Sequence, residues 1–301
     1  MTEPRSTFER ARRSNAGVAV TGAAKLTLRR VGTATARWRP GPDLLVVGAK
    51  RGGTTSLWRY LDQHPAMLPT FPRAERIKGT YFFDEQWGRG EEWYRSHFPT
   101  IARRRLAERR LGFAPKTFEA SPYYLYHPHA PARARQVVPG AVVVALLRDP
   151  VERAFSHWKE RRNHTEDLGF ADALAAEVDR TAGEEARMLA DPSVVSAPHR
   201  HQSYVAQSRY APMLARWFDA FGADQVLVWA AEEFYADPQV VTDAITGRLG
   251  LPRHDLGDPE PFNAEPSVDM DEVVRRALTE QLAGDIAAVE RLLGRPMPWS
   301  R

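Results

Sequence analysis

The chain has 301 residues, of which 43% are hydrophobic, 27% charged and 10% aromatic. This ordinary globular balance excludes disordered, collagen-like and coiled-coil classes. There is no cysteine, which excludes disulfides, thiolate metal sites and cysteine nucleophiles, and fits a reducing compartment such as the cytoplasm. The net charge of +4 is uneven: residues 1–40 hold nine Lys and Arg against two acids, a balance of +7, which leaves the remainder at about −3.

The basic arm, residues 1–40, reads as a solvated, partly ordered tail, with nucleic acid or an anionic membrane surface as the partners its charge would suit. Arg12-Arg13 ahead of Ala16–Ala24 has no bulky apolar run, so no export signal is expected. No apolar stretch approaches the ~20 residues that cross a bilayer, and a soluble protein is expected. Arg39-Pro40-Gly41-Pro42 separates the arm from one folded domain over residues 41–301.

In chain order, Leu44–Val47 is a short continuous apolar run and predicts a strand buried on both faces. Gly48–Gly53 is a glycine-containing loop, and Leu57, Tyr60 and Leu61 space a helix over Thr54–His64 until Pro65 stops it. Lys116–Phe118 is a possible short strand; Ala141–Leu147 and Gln225–Ala230 are further buried strands, with a helix following Pro150. Residues 161–203 are polar and helix-prone, and are expected to form a mobile cap over a substrate cleft. Val274, Leu278, Leu282, Ile286, Val289 and Leu293 repeat at helical spacing up to Gly294. Buried strands alternating with helices predict an α/β domain, its central parallel sheet flanked by helices and its ligand at the C-terminal strand ends.

Two motifs carry chemistry. Gly48-Ala-Lys-Arg-Gly-Gly53-Thr54-Thr55 runs from strand to helix, where backbone N–H groups and the positive helix end can hold an anion. It matches the glycines and final hydroxyl of a nucleotide-triphosphate loop, but Thr54 stands where that loop has its lysine. The cations lie inside the loop instead, at Lys50 and Arg51. The second motif is the strand ending in Arg148-Asp149-Pro150, followed by Glu152 and Ser156. Asp149, Pro150 and Glu152 specify a helix start. Arg148 is thereby held at the sheet edge, where with Ser156 it could bind a second phosphate.

The two motifs together, about a hundred residues apart, resemble a sulfotransferase that uses 3′-phosphoadenylyl sulfate (PAPS), of the heparan-sulfate and bacterial carbohydrate type. Gly79-Thr-Tyr-Phe-Phe-Asp84, Trp93-Tyr94, Phe118-Glu-Ala-Ser-Pro-Tyr-Tyr124 and Gly250-Leu-Pro252 add to the likeness, which covers about residues 42–300. The resemblance implies a P-loop-like sulfotransferase fold. Its first loop, Lys50, Arg51, Gly52, Gly53, Thr54, Thr55 and Ser56, would grip the 5′-phosphosulfate. Arg148 and Ser156 would bind the 3′-phosphate, and Tyr210 would approach the adenine. It implies sulfuryl transfer to a hydroxyl or amine of a glycan, lipid or small natural product, with release of adenosine 3′,5′-bisphosphate and no metal.

The chain departs from that pattern twice. Arg51 stands at the family's catalytic lysine; it keeps the charge but cannot surrender a proton at working pH, so Lys50 is the alternative acid. Gly79 stands where a glutamate base is usual, with Lys78 before it. Glu119, His157 and Glu75 are the remaining candidates for the base, Glu119 first because it would emerge beyond the short strand. His127 and His129 read as surface residues rather than metal ligands. Trp87, Trp93, Tyr94, Tyr123, Tyr124 and Tyr126 would serve either as core or as a stacking surface for the acceptor. The competing classes are an atypical P-loop kinase or hydrolase needing magnesium, and a nucleic-acid or membrane-surface binder working through the arm.

Overall fold

Five parallel strands, β1 (Leu44–Gly48), β2 (Met67–Leu68), β3 (Lys116–Ala120), β4 (Val142–Leu147) and β5 (Val226–Ala230), form one sheet in the order β2-β3-β1-β4-β5. The computed structural model describes residues 22–257 and 269–300; residues 1–21, half of the basic arm, lie outside the described residues.

Every residue of β1 and β4 is buried, as continuous apolar runs require when both sheet faces are covered. The side chains alternate between two cores. Leu45, Val47, Val143 and Ala145 pack with Tyr210, Leu214 and Trp217 on one face. Leu44, Val46, Val142 and Val144 pack with Leu57, Leu61, Phe234 and Ile245 on the other. From β1 the chain builds toward β3 on one side and later toward β4 on the other, so the crevice beyond β1 and β4 is the switch point of the sheet. The helices Thr54–Gln63 and Pro150–Arg162 start there.

The expected strands and the helices after Gly53, after Asp149 and near the C-terminus form with bounds shifted by a residue or two. One expectation is corrected. β3 runs to Ala120, so Glu119 lies inside the strand rather than beyond it. The segment 161–203 folds into three helices anchored by two carboxylates. Glu166 accepts from Tyr204 Oη at 2.7 Å and pairs with Arg180 at 2.7 Å. Glu177 accepts the N–H groups of Val205 and Ala206 at 2.7 and 2.8 Å.

The described part of the arm is seated on the body. Its helix, Gly22–Ala34, places Arg29 against Glu75 at 2.7 Å. Arg39 is buried, donating to Phe98 O at 2.5 Å and lying over the Phe71 ring. No described helix is long and apolar enough to cross a membrane.

Candidate active site

The loop between β1 and the helix Thr54–Gln63 is shaped by backbone demands. A Cβ at Gly52 would lie 2.3 Å from Leu146 O, and Gly53 has φ +92°; neither place admits an ordinary side chain without strain. Gly53 caps the helix without a side chain, so the first-turn N–H groups of Thr54 and Thr55 are left for an anion. Arg51 adopts φ +70°, an uncommon left-handed conformation for a non-glycine residue. In it Arg51 Nε donates to Ser156 Oγ at 3.0 Å. The two motifs therefore meet through Arg51 and Ser156.

Lys50 Nζ donates to His157 Nε2 at 2.9 Å and lies 3.4 Å from Glu160 Oε2. Burial lowers the Lys50 pKa to about 8, with Glu160 opposing the shift. An ammonium only donates, so Nε2 accepts and the ring proton sits on Nδ1. His157 is fully buried, and burial together with Lys50 holds its pKa well below the usual range. It is a neutral acceptor that orients Lys50, and its Nε2 is taken, so this alternative candidate is not placed as a base.

Glu119 is corrected in the same way. It is 0% exposed on the core side of β3. Its carboxylate accepts from Thr80 N at 2.7 Å, Thr80 Oγ1 at 2.8 Å, Tyr94 Oη at 2.9 Å and Ser121 Oγ at 3.1 Å. Tyr124 Oη adds a fifth donor at 3.3 Å. A carboxylate with five donors around it ties β3 to the segment 80–94 and has no free lone pair for an acceptor's proton. Glu75, the third candidate, is taken by Arg29.

Tyr210 does not face a nucleobase either. It is 1% exposed, and its Oη donates to the backbone carbonyl of Arg148 at 2.9 Å, which fixes the end of β4 from below. Arg148 itself is a third exposed, 3.7 Å from Glu152 Oε2, and Ser156 is bonded to Arg51 rather than to it. Asp149 caps the helix as expected, accepting from Val151 N and Glu152 N at 2.8 and 3.0 Å. Of the aromatic residues, Tyr94, Tyr123 and Tyr124 are core, while Trp87, Trp93 and Tyr126 are partly buried. His127 is buried, not on the surface. Among the described residues no group of three or more His, Asp or Glu side chains could hold a metal ion.

One residue at the site was missed. Lys78 Nζ donates to Thr54 Oγ1 at 3.1 Å and to Thr55 Oγ1 at 2.8 Å. Burial lowers its pKa to about 8, and among the described residues it pairs with no carboxylate. It stands in the sequence directly before Gly79, where the missing glutamate drew attention away from the lysine beside it. Gly79 is itself constrained: a Cβ there would sit 2.4 Å from both Ala120 O and Ser121 Oγ.

Comparison with known proteins gives the family. A family model described as the sulfotransferase family matches residues 42–255. The chain belongs to the sulfotransferase family. Among curated relatives, the bifunctional heparan sulfate N-deacetylase/N-sulfotransferase 1 of Caenorhabditis elegans is 28% identical over 212 residues, 70% of this chain and 22% of that protein. Enzyme 3 of the same description from Homo sapiens is 28% identical over 74% of this chain and 24% of its own length. The chain thus spans less than a quarter of these relatives. A solved sulfotransferase from Alicyclobacillus acidocaldarius superposes with a TM-score of 0.63 at 29% identity, over 86% of this chain and 99% of that one. The parallel sheet with its strand-to-helix loop is the P-loop-like sulfotransferase fold, and sulfuryl transfer is the activity of this family.

Proposed function

We propose that this sulfotransferase moves the sulfuryl group of 3′-phosphoadenylyl sulfate to a glycan hydroxyl or amine and releases adenosine 3′,5′-bisphosphate. The observation that carries the reading is the cluster of Lys50, Arg51 and Lys78 about the open N-terminus of the helix Thr54–Gln63. Three cations share one carboxylate there, Glu160, so the site lacks the negative charge a phosphosulfate would bring. Arg148, at the end of β4 and only loosely paired with Glu152, suits the 3′-phosphate, with Ser156 beyond it.

In-line transfer at sulfur needs positioning and charge stabilisation more than covalent help from the protein. Arg51 and the helix N–H groups take up charge that develops on the departing phosphate. Lys50 and Lys78, with pKa values near 8, can also give that oxygen a proton, which Arg51 cannot. His157 keeps Lys50 aimed. A magnesium-dependent kinase fits less well, because Lys78 occupies the Thr55 hydroxyl that a nucleotide-triphosphate loop gives to the metal.

Adenosine 3′,5′-bisphosphate is expected to raise the melting temperature by mass action, AMP and ATP to do less, and magnesium to add nothing. Equal shifts with AMP and the bisphosphate would remove the 3′-phosphate site.

A further inference from the structure

A cavity of about 430 Å³ is lined by Asp84, Glu85, Trp87, Asp191, Pro192 and Val195. Asp84 is 4% exposed. Its Oδ1 accepts from Glu85 N at 2.6 Å, whereas Oδ2 is buried without a partner. A buried carboxylate oxygen left unpaired is costly, so it points to a ligand that supplies a proton there. We propose that this cavity seats the acceptor and that Asp84 takes the proton of its hydroxyl.

Two segments join the cavity to the donor loop. Lys78, on the hydroxyls of Thr54 and Thr55, begins the stretch that ends at Asp84. The helix Ala197–His201 sets Arg200 on Glu85, and its His201 Nδ1 lies 3.3 Å from Arg161 Nη1. Arg161 in turn adjoins Glu160, the partner of Lys50.

The lining also sets the acceptor's class. Asp84, Glu85 and Asp191 give three carboxylates, Arg200 and Arg133 stand against them, and Trp87, Pro192 and Val195 give an apolar wall. A sugar without net negative charge fits such a wall, whereas the lining has no surplus of cations to hold a polyanionic chain. In the step itself the acceptor oxygen forms its bond to sulfur as the bond from sulfur to the 5′-phosphate oxygen breaks. The hydroxyl proton passes to Asp84 Oδ2, and the bisphosphate leaves with the electron pair of the broken bond.

Burial lifts the Asp84 pKa to about 7, which places a base at working pH. The charged groups facing it are Arg200 and Arg133, which lower the value, and Glu119, which raises it; the phenols of Tyr81, Tyr123 and Tyr124 also face it, all held in the neutral form by burial.

This assignment rests on the sulfuryl-transfer reading, and the test separates the two. The acceptor probes are chitotetraose, an uncharged sugar, and N-desulfated heparin, a polyanion, with sulfur-labelled donor. Label is expected on chitotetraose in preference to heparin. Asp84→Asn is expected to lower kcat about 100-fold and to abolish the rise in rate centred near pH 7, with bisphosphate affinity unchanged. Val195→Trp, which narrows the cavity without adding a charge near Asp84, is expected to raise KM for chitotetraose at least tenfold. Retention of kcat and pH profile by Asp84→Asn, an unchanged KM in Val195→Trp, preference for heparin, or no label on chitotetraose would each overturn the assignment. Failure of the unaltered protein to bind the bisphosphate overturns the underlying reading instead.

Discussion

Arg51 Nε donates to Ser156 Oγ across 3.0 Å, so a residue of the β1 loop is bonded to one two turns into the helix that follows β4. The bond holds Arg51 in its left-handed backbone conformation and makes the two halves of the donor site one unit. Arg51→Lys keeps the charge but loses the Nε–H and its planar geometry. Turnover is expected to fall more than bisphosphate affinity, checked by comparing kcat with binding calorimetry. Equal losses in both would show that Arg51 holds the product as firmly as the transition state.

The strand-end arginine is tested separately. Arg148→Ala is expected to weaken bisphosphate binding by about 1.5–3 kcal/mol, the scale of a charge-assisted hydrogen bond, and Ser156→Ala by about 0.5–1.5 kcal/mol. Calorimetric titration measures both. Unchanged affinity in Arg148→Ala places the 3′-phosphate elsewhere.

Lys50 and Lys78 set a pH dependence with a definite sign. Both are shifted down from 10.5 to about 8 by burial, so between these values the unfolded chain binds more protons than the native one. Stability of the ligand-free protein is therefore expected to rise with pH across that window, and Lys78→Met to flatten the rise. The bound anion favours the charged lysines, so bisphosphate affinity is expected to fall above pH 8, by up to tenfold per unit for each lysine. Affinity that stays level from pH 7 to 10 would show that neither ammonium touches the ligand.

Glu119→Gln replaces an acceptor surrounded by five donors with an amide that must donate to one of them. A loss of about 1.5–3 kcal/mol in unfolding free energy is expected, read from urea titrations, with the pH–rate profile of the surviving native fraction unchanged. If stability holds and the acidic limb disappears, Glu119 is the base after all.

Much of the fold was legible because its signals are local. The all-apolar strands β1 and β4, and the Asp149-Pro150-Val151-Glu152 helix start, declare themselves within a few residues. β2 did not, because two residues carry no periodicity. The phosphate-loop cations were legible by pattern, and Lys78 was not, because its partners Thr54 and Thr55 lie 24 and 23 positions away. The bases were misread for a related reason. A short strand predicted to end at Phe118 puts Glu119 at a sheet edge, but two more residues of pairing carry it into the core. His157 beside Ser156 looked open in sequence, whereas on a helix the neighbouring position turns it inward to Lys50.

Gly79 has a consequence for how this chain can change. A Cβ there would lie 2.4 Å from Ala120 O and Ser121 Oγ, so a glutamate placed there by one substitution would push β3's end away from the segment that Glu119 secures. A carboxylate at 79 and this packing of β3's end therefore exclude one another. Because Ala120 O belongs to the backbone, no side-chain change at 120 relieves that contact, and the chain around 79 would have to shift before a carboxylate could stand there.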